Sequence, residues 1–388
     1  MVPEIGQPRT GEAAPKLAAI ILAAGYSARM GRFKPLLSIG HSTPLETVVG
    51  IFLSAGIPDV SVVLGHRADE LRPVVEACGA RYVINSQFDQ GMFSSVRAGV
   101  AALAEDTDAC FMTPVDIPLV RVNTVRRLAR CFTETRKPII YPVFQKRRGH
   151  PTLISRTILA EALEARLDST LAAVLAVHEE QSHRCFVPDQ GIHLDMDTPE
   201  QLARIREFAA HREIPSFAEC EAVLAEYQAD ERVVRHSRVV AGVAFALATA
   251  LVERGVHVEP LLVRAAALLH DVAKGKPEHA QAGAQLLRDL DFGNAAEIVA
   301  AHTDYTLVAG KLDEAAVVYL ADKLVSGDRV VGIEKRFQRS FDRFQGIPAA
   351  LDSVTRRRAT AEKIAHEIEK HLGAGLRQAI LDRQLCGD

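Results

Sequence analysis

One stretch constrains this chain more than any other: the apolar run Leu17–Leu22, followed by Ala23-Ala24-Gly25-Tyr26-Ser27-Ala28-Arg29-Met30-Gly31-Arg32-Phe33-Lys34. The run suits a buried strand. Gly25, Ser27 and Gly31 in the turn behind it let the backbone come close to a ligand. Arg29 and Lys34 are the cations such a turn would aim at phosphate oxygens, beside backbone N–H groups that cradle an anion. Two commoner phosphate loops are excluded. No G-K-[ST] follows Gly25, and the glycines do not spell G-x-G-x-x-G.

Up to about residue 210, short apolar runs alternate with helix-like segments. Strands are expected at 17–22, 60–64, 81–84, 109–113, 138–143 and 184–187, and helices near 44–55, 68–78, 94–104 and 124–133. That alternation implies an α/β domain, Rossmann-like, with a mostly parallel sheet and ligands at the carboxyl ends of its strands. From about Ser216 strand signals vanish, and helical periodicity runs through 231–254, 260–274, 281–290, 295–302 and 313–326. The second half is therefore expected to be all-α. The expected division is a nucleotide-handling domain at 15–212, a helical connector at 213–229, a second domain at 230–345 and a helical tail at 346–388. Within the tail, 356–371 reads as a solvated helix without chemistry.

A formal net charge of −3 gives no nucleic-acid or membrane footprint, so phosphate ligands must be met by local clusters of cations. Cys78, Cys110, Cys131, Cys185, Cys220 and Cys386 are scattered and never spaced C-x-x-C, the pattern of reduced thiols in a cytosolic protein. Glu4 and Glu12 precede the first apolar run, unlike a signal peptide, and the apolar stretch 239–252 is too short to span a bilayer. A soluble, cytoplasmic protein without nucleic-acid or membrane partners is expected.

Three more strand ends in the first half carry polar residues. Asp116, in Thr113-Pro-Val-Asp-Ile-Pro, would sit at the rim of the sheet as a hard oxygen ligand for Mg²⁺. Asp197 reads either as a second ligand or as the start of a helix, because Thr198-Pro199-Glu200-Gln201 is a capping box with proline at its first position. Asp195 is the weaker ligand of the two. Gly91 permits close approach, and Ser94 and Ser95 could cap a helix or touch a base or ribose. Lys146-Arg147-Arg148-Gly149-His150-Pro151 is a basic loop suited to an anionic second substrate.

Taken in order, L-A-A-G-x-S-x-R-M-G-x-x-K, Gly65-His66, Q-G-M-x-S-S, D-x-P, R-G-H-P and D-x-D-T-P-E resemble the MobA-like nucleotidyltransferases, and most closely the molybdenum cofactor cytidylyltransferases. The resemblance implies transfer of a nucleotidyl group from an NTP onto the phosphate of a molybdopterin-type cofactor, with release of pyrophosphate. It assigns the triphosphate to Gly25, Arg29, Gly31 and Lys34, and Mg²⁺ to Asp116. Leu22, Ala23, Ala24, Ser27, Gly65, Gly91, Ser94 and Ser95 complete the candidate nucleotide contacts, and Arg148, Gly149 and His150 the acceptor contacts. The Leu22-Ala-Ala-Gly25 form of the turn resembles the cytidylyl branch, so CTP is expected over GTP. A substrate phosphate is already ionised near neutral pH, so catalysis needs alignment and charge neutralisation by Lys34 and Arg29 rather than a general base.

In the second half, His236, the doublet His270-Asp271, and Asp322 lie on successive helical segments, and buried His and Asp are costly unless paired or metal-bound. Their order resembles the HD phosphohydrolase superfamily. His279 and His302 extend it toward the subgroup containing bacterial diadenosine tetraphosphate hydrolases, which carry two metals. Neutral imidazole with carboxylate suits Fe, Mn or Zn. One ion needs only His236, His270, Asp271 and Asp322, whereas two ions would use all six residues, with Asp271 bridging. Lys274 and Arg329 are candidate phosphate contacts. Two other readings stand beside this one: a transferase for a sugar or polyol phosphate, and a chaperone delivering cofactor to a molybdoenzyme, with the HD domain sensing nucleotide.

Overall fold

The computed structural model describes residues 14–27, 30–308 and 311–384. They fall into two compact units, Met1–Arg212 and Glu213–Asp388.

In chain order the first unit comprises β1 (Leu17–Leu22), α1 (Pro44–Ala55), β2 (Asp59–Leu64), α2 (Ala68–Ala77), β3 (Arg81–Ile84), α3 (Met92–Ala101), β4 (Ala109–Pro114) and α4 (Val122–Thr135). It continues with β5 (Ile139–Phe144), β6 (Arg147–Arg148), β7 (Thr152–Ser155), α5 (Arg156–Glu164), α6 (Leu171–Ala176), β8 (Ser182–Phe186) and α7 (Pro199–Ala210). The sheet runs β3-β2-β1-β4-β7-β5-β6, with β8 against β5. Strands β1, β2, β3 and β4 are mutually parallel, as are β5 and β8. The unit is thus the expected α/β fold with a mostly parallel sheet. Helices on both faces bury its central strands β1, β2 and β4, which is why these read as apolar runs: Ile20, Ile21, Val62, Val63 and Phe111 have no exposed surface. Strand β7, antiparallel to β4 and β5, was not expected. It is four residues long and follows Pro151 directly, too short a run to show a period.

Parallel strands bring their carboxyl ends to one rim, and backbone bonds knit the turns there. Ala23 N–H donates to Val63 O, His66 N–H to Ala24 O, Asn85 N–H to Leu64 O and Val115 N–H to Leu22 O. This fixes the turns after β1, β2, β3 and β4 against one another.

The second unit comprises α8 (Phe217–Glu226), α9 (Glu231–Glu253), α10 (Pro260–Leu269), α11 (His279–Arg288), α12 (Gly293–Ala301), α13 (Glu314–Leu324), a two-stranded ribbon β9 (Val325–Ser326) and β10 (Arg329–Val330), and then α14 (Ile333–Arg343), α15 (Pro348–Leu372) and α16 (Leu376–Gln384). Helix α9 is long and apolar enough to cross a membrane by length and composition, but 56% of its apolar window is buried within this unit. Its Val240, Ala244, Leu247 and Leu251 belong to a core shared with α10, α12 and α13.

Three details correct the sequence reading. The helix expected over 260–274 stops at Leu269, so His270 and Asp271 lie just past its end rather than inside it. The segment expected as connector forms α8, whose Cys220, Val223 and Leu224 enter the helical core. Helix α15, expected to be solvated, buries Ala361, Ile364 and Ile368 in that core.

Candidate nucleotide site and candidate metal centre

At the rim of the first unit, Lys34 reaches the end of β4 and the start of α7 at once. Its ammonium donates to Asp116 Oδ2 at 3.1 Å, beyond β4, and pairs with Asp197 Oδ1, beyond β8. The backbone N–H of Lys34 donates to Ser27 Oγ at 3.2 Å, tying the base of the turn to its end. Ser27 and Gly31 both adopt the left-handed conformation, with φ 55 and 65, and at Gly31 that conformation suits glycine. Gly65 is required for a different reason. A Cβ there would stand 2.6 Å from Phe88 Cβ and 2.9 Å from Ala24 Cβ.

The turns after β1, β2 and β3 thus meet in an aromatic group missed by the sequence reading. Tyr26 lies 4.9 Å from His66 and 5.4 Å from Phe88, centroid to centroid, and the Arg67 guanidinium sits 4.3 Å over Phe33. Gly65-His66 was the only part visible as a motif.

Several candidates at the rim are already committed to protein partners. Asn85 Nδ2 donates to Ser94 Oγ at 2.8 Å and to Ser95 Oγ at 3.0 Å, and Ser94 Oγ in turn donates to the Gln87 and Gly91 carbonyls. Those hydroxyls brace the turn behind Gly91, whose φ is 96. The capping box forms: Gln201 N–H donates to Thr198 Oγ1, and the Gln201 side chain accepts from Thr198 N–H while also bonding Asp195. Asp195 is thereby held by the helix start, while Asp197 faces Lys34. Arg148 donates to Glu179 Oε2 at 2.8 Å and lies 4.1 Å over the Tyr141 ring. Gly149 has no room for a side chain, since a Cβ would stand 2.5 Å from Ile192 O. His150 precedes a cis proline, and its Nδ1 is buried without a hydrogen-bond partner. Burial holds its pKa below the ordinary value, against the opposing pull of a backbone bond at Met112 and the charge of Asp116. Arg29 lies outside the described residues.

The second unit gathers all six candidate ligands. The Nδ1 atoms of His236, His270 and His302 each lie 2.7 Å from a backbone carbonyl, of Gly327, Ala267 and Val299 respectively. A carbonyl can only accept, so each Nδ1 carries the proton, and in the neutral ring Nε2 is left as a lone pair. Those lone pairs face carboxylate oxygens. His236 Nε2 is 3.1 Å from Asp322 Oδ1, His270 Nε2 is 3.5 Å from Asp271 Oδ2, and His302 Nε2 is 3.5 Å from Asp271 Oδ1. His279 Nε2 is 3.3 Å from the same Asp271 oxygen. Nε2 of His270 and of His279 has no hydrogen-bond partner despite its burial. For His236, His270 and His302 acceptors thus face acceptors, which needs a proton or a cation between them, and the set with His279 beside Asp271 fits a divalent metal.

Ligand atoms fall into two groups, His236–His270–Asp271 and Asp271–His279–His302, with Asp271 in both. Burial opposes ionisation of Asp271, but the neighbouring His270, the imidazoles of His279 and His302 and the Lys274 ammonium hold its carboxyl well below the ordinary carboxylate range. Burial likewise opposes ionisation of Asp322, and Lys323, His236 and His270 outweigh it. His270 is raised: burial alone would lower it, and Asp271 and Asp322 overcome that. His302 is lowered, chiefly by burial.

Lys274 Nζ lies 3.0 Å from Asp271 Oδ2 and lines a cleft beside the second ligand group. Arg329, on β10, is exposed and does not line it. The cleft instead receives Lys323, Arg336 and Arg357. Only Lys323, adjacent to Asp322, carried a signal in the sequence.

Residues 19–184 match the family model of the MobA-like NTP transferase domain, and residues 233–327 that of the HD domain. The molybdenum cofactor cytidylyltransferase of Escherichia coli (strain K12) is 28% identical over 189 residues, covering 48% of this chain and 94% of that protein. A probable molybdenum cofactor guanylyltransferase of Mycolicibacterium paratuberculosis is 27% identical over 199 residues, covering 50% and 98%. A solved nucleotidyl transferase from Methanothermobacter thermautotroptrophicus is 22% identical with a TM-score of 0.44, covering 51% and 99%. The chain therefore carries a MobA-like NTP transferase domain over residues 19–184 and an HD domain over residues 233–327.

Proposed function

We propose that the first unit transfers CMP from CTP onto the phosphate of a molybdopterin-type cofactor and releases pyrophosphate. The observation that carries this reading is the convergence of Lys34, Asp116 and Asp197 at the carboxyl rim, beside a turn shaped by Ser27 and Gly31. Mg²⁺, when bound at Asp116 and Asp197, would neutralise phosphate charge. Lys34 then contributes its own charge to the triphosphate, and Gly25, Ser27 and Gly31 let the backbone come close to it. The loop of Arg148, Gly149 and His150 meets the acceptor. The ionised acceptor phosphate supplies the attacking oxygen, so the residues have only to align it with the α-phosphorus and stabilise the charge that develops.

The second unit is read as a metal-dependent phosphohydrolase holding two divalent ions of Fe, Mn or Zn. His236, His270 and Asp322 would hold one, His279 and His302 the other, with Asp271 between them. Ions at these positions would supply a Lewis acid and an activated water. Lys274 orients Asp271 and faces the cleft.

The test is purified full-length protein with CTP and molybdopterin, following CMP–cofactor formation over many turnovers. Stoichiometric binding without turnover would favour a delivery role instead.

A further inference from the structure

We propose that the cleft of the helical unit takes inorganic pyrophosphate and hydrolyses it, with Arg336 as the anchor of the anion. The inference rests on the phosphohydrolase reading above and adds a substrate and a residue to it.

The cleft measures ≈ 180 Å³. That is below the ~300–1,000 Å³ of sites that enclose drug-sized ligands: two phosphoryl groups fit inside it, whereas a nucleoside would extend beyond its mouth. Its charge points the same way, because Lys274, Lys323, Arg336 and Arg357 all line it. Three of these are matched by carboxylates: Lys274 by Asp271, Lys323 by Asp322 at 2.6 Å, and Arg357 by both oxygens of Asp304 at 3.0 and 2.9 Å. Arg336 differs. Its Nε is buried with no hydrogen-bond partner. A buried guanidinium donor left unpaired is costly, and a phosphate oxygen offers the acceptor it lacks. Phe337 and Phe344 wall the same cleft, and a drier wall strengthens charge contacts beside it. Arg336 on α14 and Arg357 on α15 both lie beyond residues 233–327, so this end of the cleft is built outside the matched HD segment.

The reaction balances without a co-reactant other than water. Water oxygen adds to one phosphorus as its bond to the bridging oxygen breaks. The second phosphate leaves with that oxygen, and the water's proton passes to the phosphates, giving two orthophosphates. Nucleotidyl transfer exchanges one phosphoanhydride for another, so it lies near balance, and removal of pyrophosphate draws it forward. Two activities on one chain would then act in sequence, with no contact between the units required.

Two measurements on the full chain test this. Calorimetric titration of pyrophosphate is done in a Lys34→Ala background, to weaken binding by the first unit. Arg336→Gln should weaken the remaining binding by about tenfold or more at unchanged metal content, and Arg336→Lys should restore part of it. In the second, phosphate release from pyrophosphate should exceed hydrolysis of diadenosine tetraphosphate and of nucleoside mono- and triphosphates by about tenfold. Metal-loaded protein that hydrolyses those nucleotides but neither binds nor cleaves pyrophosphate overturns the inference and leaves the HD reading standing. Protein that binds no metal and hydrolyses none of these phosphates overturns both.

Discussion

Lys34 and Asp116, 82 residues apart in the chain, are joined by a 3.1 Å hydrogen bond that ties the turn after β1 to the end of β4. Asp197, just before α7, adds the start of that helix to the same ammonium. A phosphate or a cation arriving at this rim meets charges of both signs already held in place, which is what preorganisation requires of a site for phosphoryl chemistry.

Asp116→Ala is expected to abolish nucleotidyl transfer while the metal content of the helical unit stays unchanged. Lys34→Ala is expected to lose about 2–4 kcal/mol of transition-state stabilisation, roughly 30- to 1,000-fold in rate. Initial rates of CMP–cofactor formation measure both. Near-normal transfer by Asp116→Ala would remove that residue from the site.

CTP is expected to outcompete GTP and ATP. Ala24 carries a methyl group at the turn, next to the backbone of Gly65, where a Cβ would come within 2.9 Å of it. A mixture of the three nucleotides at equal concentration, with the product analysed by mass, decides the matter. Predominant GMP incorporation would reverse the assignment.

Strands β1, β2 and β4 were legible because both faces of the sheet are covered there, so each leaves a continuous apolar run between breakers. The site residues on the turns after β1 and β4 were legible for the same reason: a polar residue ending such a run must sit at the rim. Strand β7 was hidden by its length. The end of α10 was hidden because the apolar, alanine-rich pattern continues to Ala273, while the breakers Gly275 and Pro277 come later than the turn itself. Ser94 and Ser95 had the right chemistry for a ligand, but only coordinates reveal that Asn85 already engages both. Arg336 and Arg357 gave no signal, since arginines on polar helix faces are ordinarily solvated, and what brings these two to the cleft beside His279 and His302 is the tertiary packing of α14 and α15.

Helix α15 provides a test of that packing. Ile364 is fully buried in the helical core, and Ile364→Ala is expected to cost about 2–5 kcal/mol of stability. Urea unfolding followed by circular dichroism measures it. An unchanged midpoint would mean that α15 is an appendage rather than part of the unit.

Chelation should destabilise the same unit. A metal that binds only the folded state, present at 100 times its Kd, contributes about 2.7 kcal/mol, or roughly 5–10 °C in Tm for a unit of this size. Scanning calorimetry with and without chelator, at fixed protein concentration, reads the shift. No change in the helical unit's transition would argue against bound metal at His270 and Asp271.

The last prediction separates one ion from two. His236, His270, Asp271 and Asp322 suffice for a single ion, and in that case His279, near the start of α11, and His302, at the end of α12, are surplus. Their geometry argues otherwise. Both direct Nε2 at the same Asp271 oxygen, at 3.3 and 3.5 Å, and their rings stand 5.2 Å apart, centroid to centroid. Two imidazoles and a carboxylate oxygen this close together would supply three ligands of a second ion. Elemental analysis of the full chain should therefore give close to two transition-metal ions. His279→Ala and His302→Ala should each reduce that towards one, while His236→Ala should remove the other ion and leave the pair at His279 and His302 loaded. A wild-type content of one ion, unaffected by His279→Ala or His302→Ala, would retain the HD assignment and eliminate the second position.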